Sequence, residues 1–256
     1  MSRRQVCAPL VCMLAALWLA DGTASGRSGG ERYRVIESRQ EIAGVLATAA
    51  PPDIARLERL NRADEAHLPR LRALVIPLSA AEDGLADSVL PRRYEPAASS
   101  PTFLVVHLPG QLFGAYELGA LVRWGPISSG RRDSATAPGL FHLTWRSPGR
   151  HSTVNPDWFM PWYFNFDVRE GLAFHAYSLP GYPASHGCIR LLDSDAQWLY
   201  QWGDGWAIDS RLRLLASGTP VLFVGTYDFA APPPWRSIEW LSREITLPPP
   251  AHFSNP

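Results

Sequence analysis

The stretch Ser185-His186-Gly187-Cys188-Ile189-Arg190-Leu191 decides how the rest of the chain is read. It sets one cysteine, preceded by a glycine, between an imidazole and a guanidinium. A thiol of ordinary pKa, about 8.5, is mostly un-ionised at neutral pH, so a cysteine that does chemistry needs an imidazole to take its proton or to stabilise its charge. Two are available: His186 inside the stretch, and His175, which closes the apolar run Gly171-Leu172-Ala173-Phe174. Gly187 lets the backbone approach a substrate closely, and successive amides there suit a developing oxyanion. Arg190 offers two-point recognition of a carboxylate, whether from the protein or from a substrate. Between the histidines, Leu179-Pro180-Gly181-Tyr182-Pro183-Ala184 is rich in turn formers, which allows His175 and Cys188 to face each other.

Two other readings of this cluster compete. A lone cysteine is often a small buried hydrophobe. His175, His186 and Cys188 also suit three corners of a tetrahedral zinc site, but the sequence offers no obvious fourth ligand and no second cysteine nearby, so neither metal nor cofactor is expected.

Working outward, Arg3 and Arg4 precede the apolar stretch Val6 to Ala20, and Gly22-Thr23-Ala24 supplies small residues for cleavage. Residues 1–24 therefore read as a signal peptide. The apolar stretch is short for a membrane span, which takes about 20 residues, so no stable membrane insertion is expected after cleavage. Export to the periplasm or cell envelope removes Cys7 and Cys12 and leaves Cys188 as the only thiol, with no internal disulfide partner. With 256 residues, 46% of them hydrophobic, the chain can bury a sizeable core. Basic and acidic residues balance at 24 each, which argues against a nucleic-acid partner or a strongly charged membrane surface. Every side-chain base apart from histidine is arginine, so Schiff-base and lysine-nucleophile chemistry is excluded.

The stretch Ser185 to Arg190, with His175 upstream, resembles the signature of the L,D-transpeptidase (YkuD-type) catalytic domain family. Further segments resemble that family in the same order: Thr102 to His107, Leu112 to Tyr116 and Leu121 to Trp124 as strands, then Pro126-Ile127-Ser128-Ser129-Gly130, Thr136-Ala137-Pro138-Gly139-Leu140-Phe141, and Gly218-Thr219-Pro220-Val221 as a closing strand. The resemblance implies a mainly β (α+β) fold, a sandwich of mixed sheets with short helices, over residues 101–225. It implies Cys188 as a nucleophile that forms a thioester with a peptidoglycan stem tetrapeptide, and His175 as general acid and base. His186, Gly187 and Ser185 would shape the site, with the Gly187 and Cys188 amides as oxyanion donors. Arg190 falls where relatives carry Arg or Asn. Ten residues separate His175 from His186, fewer than in many relatives, so the loop and the acceptor preference are expected to differ.

The implied reaction is acyl transfer in two half-steps, with stem peptides as donor and acceptor. A neighbouring stem peptide as acceptor gives a crosslink, a protein lysine gives an anchored lipoprotein, and water makes the enzyme an L,D-carboxypeptidase or amidase. A scaffold that binds peptidoglycan without catalysis is the alternative from another class.

The aromatic run Trp158-Phe159-Met160-Pro161-Trp162-Tyr163-Phe164-Asn165-Phe166 reads mostly as packing, with Tyr163 or Trp162 as a wall for the donor peptide. Residues 31–78 resemble a LysM carbohydrate-binding module in their strand–helix–helix–strand pattern, best at Leu60-Asn61-Arg62 and Leu74-Val75-Ile76-Pro77. Glu37-Ser38-Arg39-Gln40 replaces the usual glycine-aspartate-threonine turn, which makes the module degenerate. A helical spacer is the other reading of that region. Residues 79–100 read as a linker, Pro/Ala/Ser-rich from Pro91 onward, and residues 226–256 as a Pro-rich surface tail whose Trp235 to Ile245 stretch has helical spacing suited to docking on the main domain. Asp193 or Ser194 is expected to start a helix running to about Trp202.

Overall fold

The computed structural model describes residues 32–81 and 83–249; the expected signal segment 1–24 and the last residues of the tail lie outside them. The described chain begins with β1 (Tyr33–Ile36), α1 (Arg39–Thr48), α2 (Pro51–Asn61) and β2 (Leu74–Pro77), the two strands pairing antiparallel. This is the expected strand–helix–helix–strand order. Ser38 caps α1 by accepting the Glu41 N–H, so the Glu37 to Gln40 turn is spent on starting a helix. Pro51 and Pro52 open α2, where a missing N–H costs nothing. Asn61, buried at the end of α2, donates to the carbonyls of Leu57 and Val75 and accepts the Val75 N–H, which fastens the helix to β2.

The remaining elements are β3 (Phe103–His107), β4 (Leu112–Glu117), β5 (Ala120–Ser128), β6 (Gly139–His142), β7 (Arg146–His151), β8 (Phe159–Asp167), β9 (Leu172–Ala176), β10 (Ile189–Leu191), α3 (Asp193–Trp202), the hairpin β11 (Ala207–Ile208) and β12 (Leu214–Ala216), β13 (Pro220–Val224) and α4 (Ile238–Leu241). Nine strands form one mixed sheet in the order β6-β13-β3-β4-β5-β10-β9-β8-β7, parallel at β13/β3 and β10/β9. The fold is mostly β with short helices, and the sandwich is built by curling this single sheet. Leu104 and Val106 of β3 meet Phe164, Phe166, Phe174 and Ile189 from the other half in one core. Because side chains alternate along a strand, Phe103 and Val105 face the opposite way, into a second core.

That second core corrects one sequence reading. The segment expected as a linker supplies Val89, Leu90, Tyr94 and Ala97 to it, all buried, so residues 79–100 cover the sheet instead of spanning a gap. The Pro-rich tail docks as well. Trp235 and Leu241 are buried against Tyr33, Leu60 and Val75, and the Tyr94 hydroxyl donates to the Pro248 carbonyl at 2.5 Å. Prolines here stiffen chain that packs on an existing surface, and composition alone does not separate that from a free linker. Among the described residues no helix is long and apolar enough to cross a membrane.

Candidate active site

The strand alternation that builds the core also builds the site. In the parallel pair β9/β10, Phe174 lies opposite Ile189 and His175 opposite Arg190. Phe174, Ala176, Ile189 and Leu191 turn into the core. Ala173, His175, Arg190 and Cys188, one step before β10, therefore share the other face. A cavity of about 320 Å³ opens there, lined by His175, Cys188, Arg190, Ser185, His186 and Tyr163 among others. Six of the eight residues singled out from sequence thus meet at one place; Gly187 and Trp162 do not line it.

The loop carrying Cys188 is held from beneath by the two motif segments upstream. The Ser128 hydroxyl donates to the Tyr182 carbonyl at 2.8 Å and accepts the Ala184 N–H at 3.1 Å. Ser185 N–H donates to the Ser129 carbonyl, and Arg131 N–H to that of Ser185. The Thr136 hydroxyl accepts the Gly130 N–H and donates to the Gly187 carbonyl at 2.8 Å. The N-terminal unit braces the same loop through Asp64, whose N–H donates to the Leu179 carbonyl while its carboxylate accepts the Leu179 N–H at 2.7 Å. Gly187 has φ 109°, where a side chain is strained, and a Cβ there would come within 2.9 Å of Leu172.

Ser185 closes the turn around the thiol. Its hydroxyl donates to the Cys188 carbonyl at 2.5 Å and accepts the Gly187 N–H at 3.1 Å. The Gly187 amide, expected as one of two oxyanion donors, is engaged within the loop here, because a buried N–H must find a partner and the serine oxygen is adjacent.

His175 is buried, and its Nδ1 lies 3.0 Å from the Ala176 carbonyl. A carbonyl only accepts, so Nδ1 carries the hydrogen and Nε2 keeps its lone pair. Burial, with the positive charge of Arg190 adding to it and the Ala176 carbonyl opposing, lowers this imidazole to about 4. Burial likewise pushes the half-buried Cys188 thiol up, against a backbone hydrogen bond with Ala173 and the charges of Arg190 and Arg150. Both shifts favour a neutral thiol and a neutral imidazole in the same cavity, a pair able to pass a proton from sulfur to ring.

His186 occupies a different position. Its ring packs 5.0 Å from that of Trp158, and its Nδ1 is buried with no hydrogen-bond partner among the described residues. The group that orients the candidate base is the Ala176 carbonyl, which sequence reasoning missed because every residue has one. Among the described residues no group of three or more His, Cys, Asp or Glu side chains is arranged to hold a metal ion.

The aromatic run divides. Tyr163 lines the cavity, its hydroxyl donating to the Gly171 carbonyl at 3.0 Å and its ring 4.9 Å from Trp145. Trp162 turns away: its indole N–H donates to Asp193 at 3.1 Å and its ring meets Tyr200. Trp162 has φ 55°, so the alternation of β8 breaks there, with Met160 facing the cavity before it and Tyr163 and Asn165 after it. Arg150 of β7 also lines the cavity and was not singled out from sequence, since nothing local marks it among the many arginines.

Residues 101–222 match the model of the YkuD family, the L,D-transpeptidase catalytic domain. Solved structures similar to this chain include an L,D-transpeptidase from Stackebrandtia nassauensis, 24% identical, covering 56% of this chain and 63% of that one with a TM-score of 0.43. One from Xylanimonas cellulosilytica is 31% identical over 52% of this chain and 64% of that one, with a TM-score of 0.40. One from Mycobacterium smegmatis is 18% identical over 49% and 59%, with a TM-score of 0.39. The chain spans less than two thirds of the length of each of these. No curated protein sequence matches it significantly.

Proposed function

We propose that the protein is an exported, cysteine-dependent L,D-transpeptidase acting on peptidoglycan stem tetrapeptides through a thioester at Cys188. One observation carries this reading: His175, with Nδ1 tied to the Ala176 carbonyl and Nε2 free, stands on the strand next to Cys188, on the same face and in the same cavity. A packing cysteine has no use for that arrangement, and neither does a scaffold.

The chemistry follows from the groups present. The Cys188 sulfur attacks the carbonyl of the bond that joins the L-centre to the terminal D-alanine, and the thiol proton passes to His175 Nε2. The oxyanion is assigned to the Cys188 amide, since that of Gly187 is held by Ser185. His175 returns the proton to the departing D-alanine amine, leaving the thioester. An acceptor amine then attacks; His175 takes its proton and restores the thiol as the new amide forms. The N-terminal unit, whose reading as a LysM-like module is part of the proposal, serves here to brace the loop between base and nucleophile through Asp64.

Incubating the protein with muropeptides and comparing wild type with Cys188→Ala by mass spectrometry tests the reading. Wild type is expected to release D-alanine and the variant to release none. The product masses name the acceptor: crosslinked dimers for a stem-peptide amine, a protein adduct for a lipoprotein lysine, a tripeptide for water. Equal turnover by the variant sinks the proposal.

A further inference from the structure

Two guanidiniums look into the cavity, and among the described residues neither forms an ion pair with a carboxylate. Arg190 lies 4.6 Å from the Tyr177 ring, with one long contact of 3.5 Å to the Ser178 carbonyl. Arg150 lies 5.2 Å from the Trp145 ring and 5.0 Å from that of Tyr163, with a contact of 3.5 Å to the His151 carbonyl. Packing against rings occupies the faces of a guanidinium, while its five N–H donors lie in the plane and stay available. Glu170, on the rim of the same cavity, pairs with neither arginine.

The two cations stand on separate strands. β10 and β7 are separated by β9 and β8, which at the usual strand spacing puts the two backbones roughly 14 Å apart. Cys188 feels both charges. Cys188 stands two residues from Arg190 on the same face, and Arg150 lies three strands away, so a ligand that crosses the sheet from the sulfur meets a near guanidinium and a far one. Half-buried cations without counter-ions are costly to keep unless a ligand supplies the anions.

Resting on the function proposed above, we infer that the cavity is built for a donor peptide with two carboxylates, and that Arg150 is a specificity determinant that pairs with the donor's side-chain carboxylate. Arg190 takes the other carboxylate. A donor whose side-chain carboxylate is replaced by a carboxamide keeps its shape and loses the charge-assisted, two-point contact to Arg150. Discrimination between the two donors is then a property of one residue, remote in sequence from Cys188.

The test uses the full chain and two synthetic stem tetrapeptides that differ only in a side-chain carboxylate or carboxamide. D-alanine release is measured for wild type, Arg150→Gln and Arg150→Lys. Wild type is expected to favour the carboxylate donor by at least about tenfold in kcat/KM, mostly through KM, as loss of one charge-assisted contact implies. Arg150→Gln should bring the ratio of the two donors close to one, and Arg150→Lys should restore part of it. A packing role would lower both donors together and leave the ratio unchanged, so an unchanged ratio in Arg150→Gln overturns the inference. So does a wild type indifferent to the charge. If wild type consumes neither donor, the functional reading fails, and the inference with it.

Discussion

Arg62 and Arg190 are both arginines without a carboxylate partner among the described residues, and they mark the two sides of the molecule. Arg62, at the end of α2, is fully enclosed: it donates to the Gly110 carbonyl at 2.9 Å and to that of Arg59, with the rings of Trp124, Trp235 and Trp240 5.6, 5.7 and 6.0 Å away. Burial lowers it to about 9, still protonated at neutral pH. Arg190 has one ring, one long contact and an open cavity. The first cation is satisfied by the protein and joins the N-terminal unit, the β4 turn and the tail into one body. The second is left for something that arrives. An uncompensated charge is thus informative about function only where space adjoins it.

The largest expected difference comes from truncating each. Arg62→Ala removes a cation from between three indoles and leaves a void, at a cost of about 3–5 kcal/mol in a denaturant titration. Arg190→Ala is expected to cost less than about 1 kcal/mol in the same titration. Its effect should appear in turnover instead, as a fall in kcat/KM of roughly tenfold to a hundredfold. If Arg190→Ala unfolds the protein as readily as Arg62→Ala, the distinction between the two sides is wrong.

Histidines sharpen the contrast at the next level. His107, on the enclosed side, accepts the Gly110 N–H and stacks near Trp240; burial, helped by Arg62, lowers it to about 4, like His175. Between about pH 6.5, the ordinary histidine value, and pH 4, the unfolded chain binds protons that the native chain does not. Stability is therefore fully present above pH 6.5 and is lost as pH falls through that window. Melting temperatures measured from pH 7 to 4 should decline accordingly, and His107→Gln should flatten the decline. The kcat/KM profile should ignore His107→Gln and keep its acid limb near pH 4, because only a neutral His175 can take the thiol proton. An acid limb at pH 6.5 would mean an imidazole in ordinary solvent.

The smallest effect belongs to Trp162→Phe. The indole contacts Asp193 and Tyr200 on the far side of β8, so the donor KM should change by less than about twofold, with at most about 1 kcal/mol lost with the hydrogen bond. A tenfold rise in KM would place that ring in the cleft after all.

The candidate site was legible in the sequence because the residues that line it are local. Ser185 to Arg190 and His175 sit at the ends of adjacent parallel strands, and the alternation that hides Phe174 and Ile189 presents His175 and Arg190. What the sequence concealed depends on long-range geometry or on backbone angles. Trp162 reads like any member of an aromatic run until its φ of 55° breaks the alternation. The Gly187 amide looks free for an oxyanion until the Ser185 hydroxyl is seen to hold it. Arg150 lies far from Cys188 in sequence and reaches the cavity only through the pairing of β7 with β8. Leu90 and Tyr94 in the segment read as a linker are the available warning: large apolar side chains are seldom left on a free connector.

The most direct test of the central claim is the intact mass of the protein after exposure to a carbapenem, for wild type, His175→Gln and Cys188→Ala. Expected is a single covalent adduct on the Cys188 peptide of wild type, formed much more slowly in His175→Gln and absent from Cys188→Ala. An unmodified wild-type mass after prolonged exposure, or an adduct that survives Cys188→Ala, contradicts a thiol activated by the imidazole beside it.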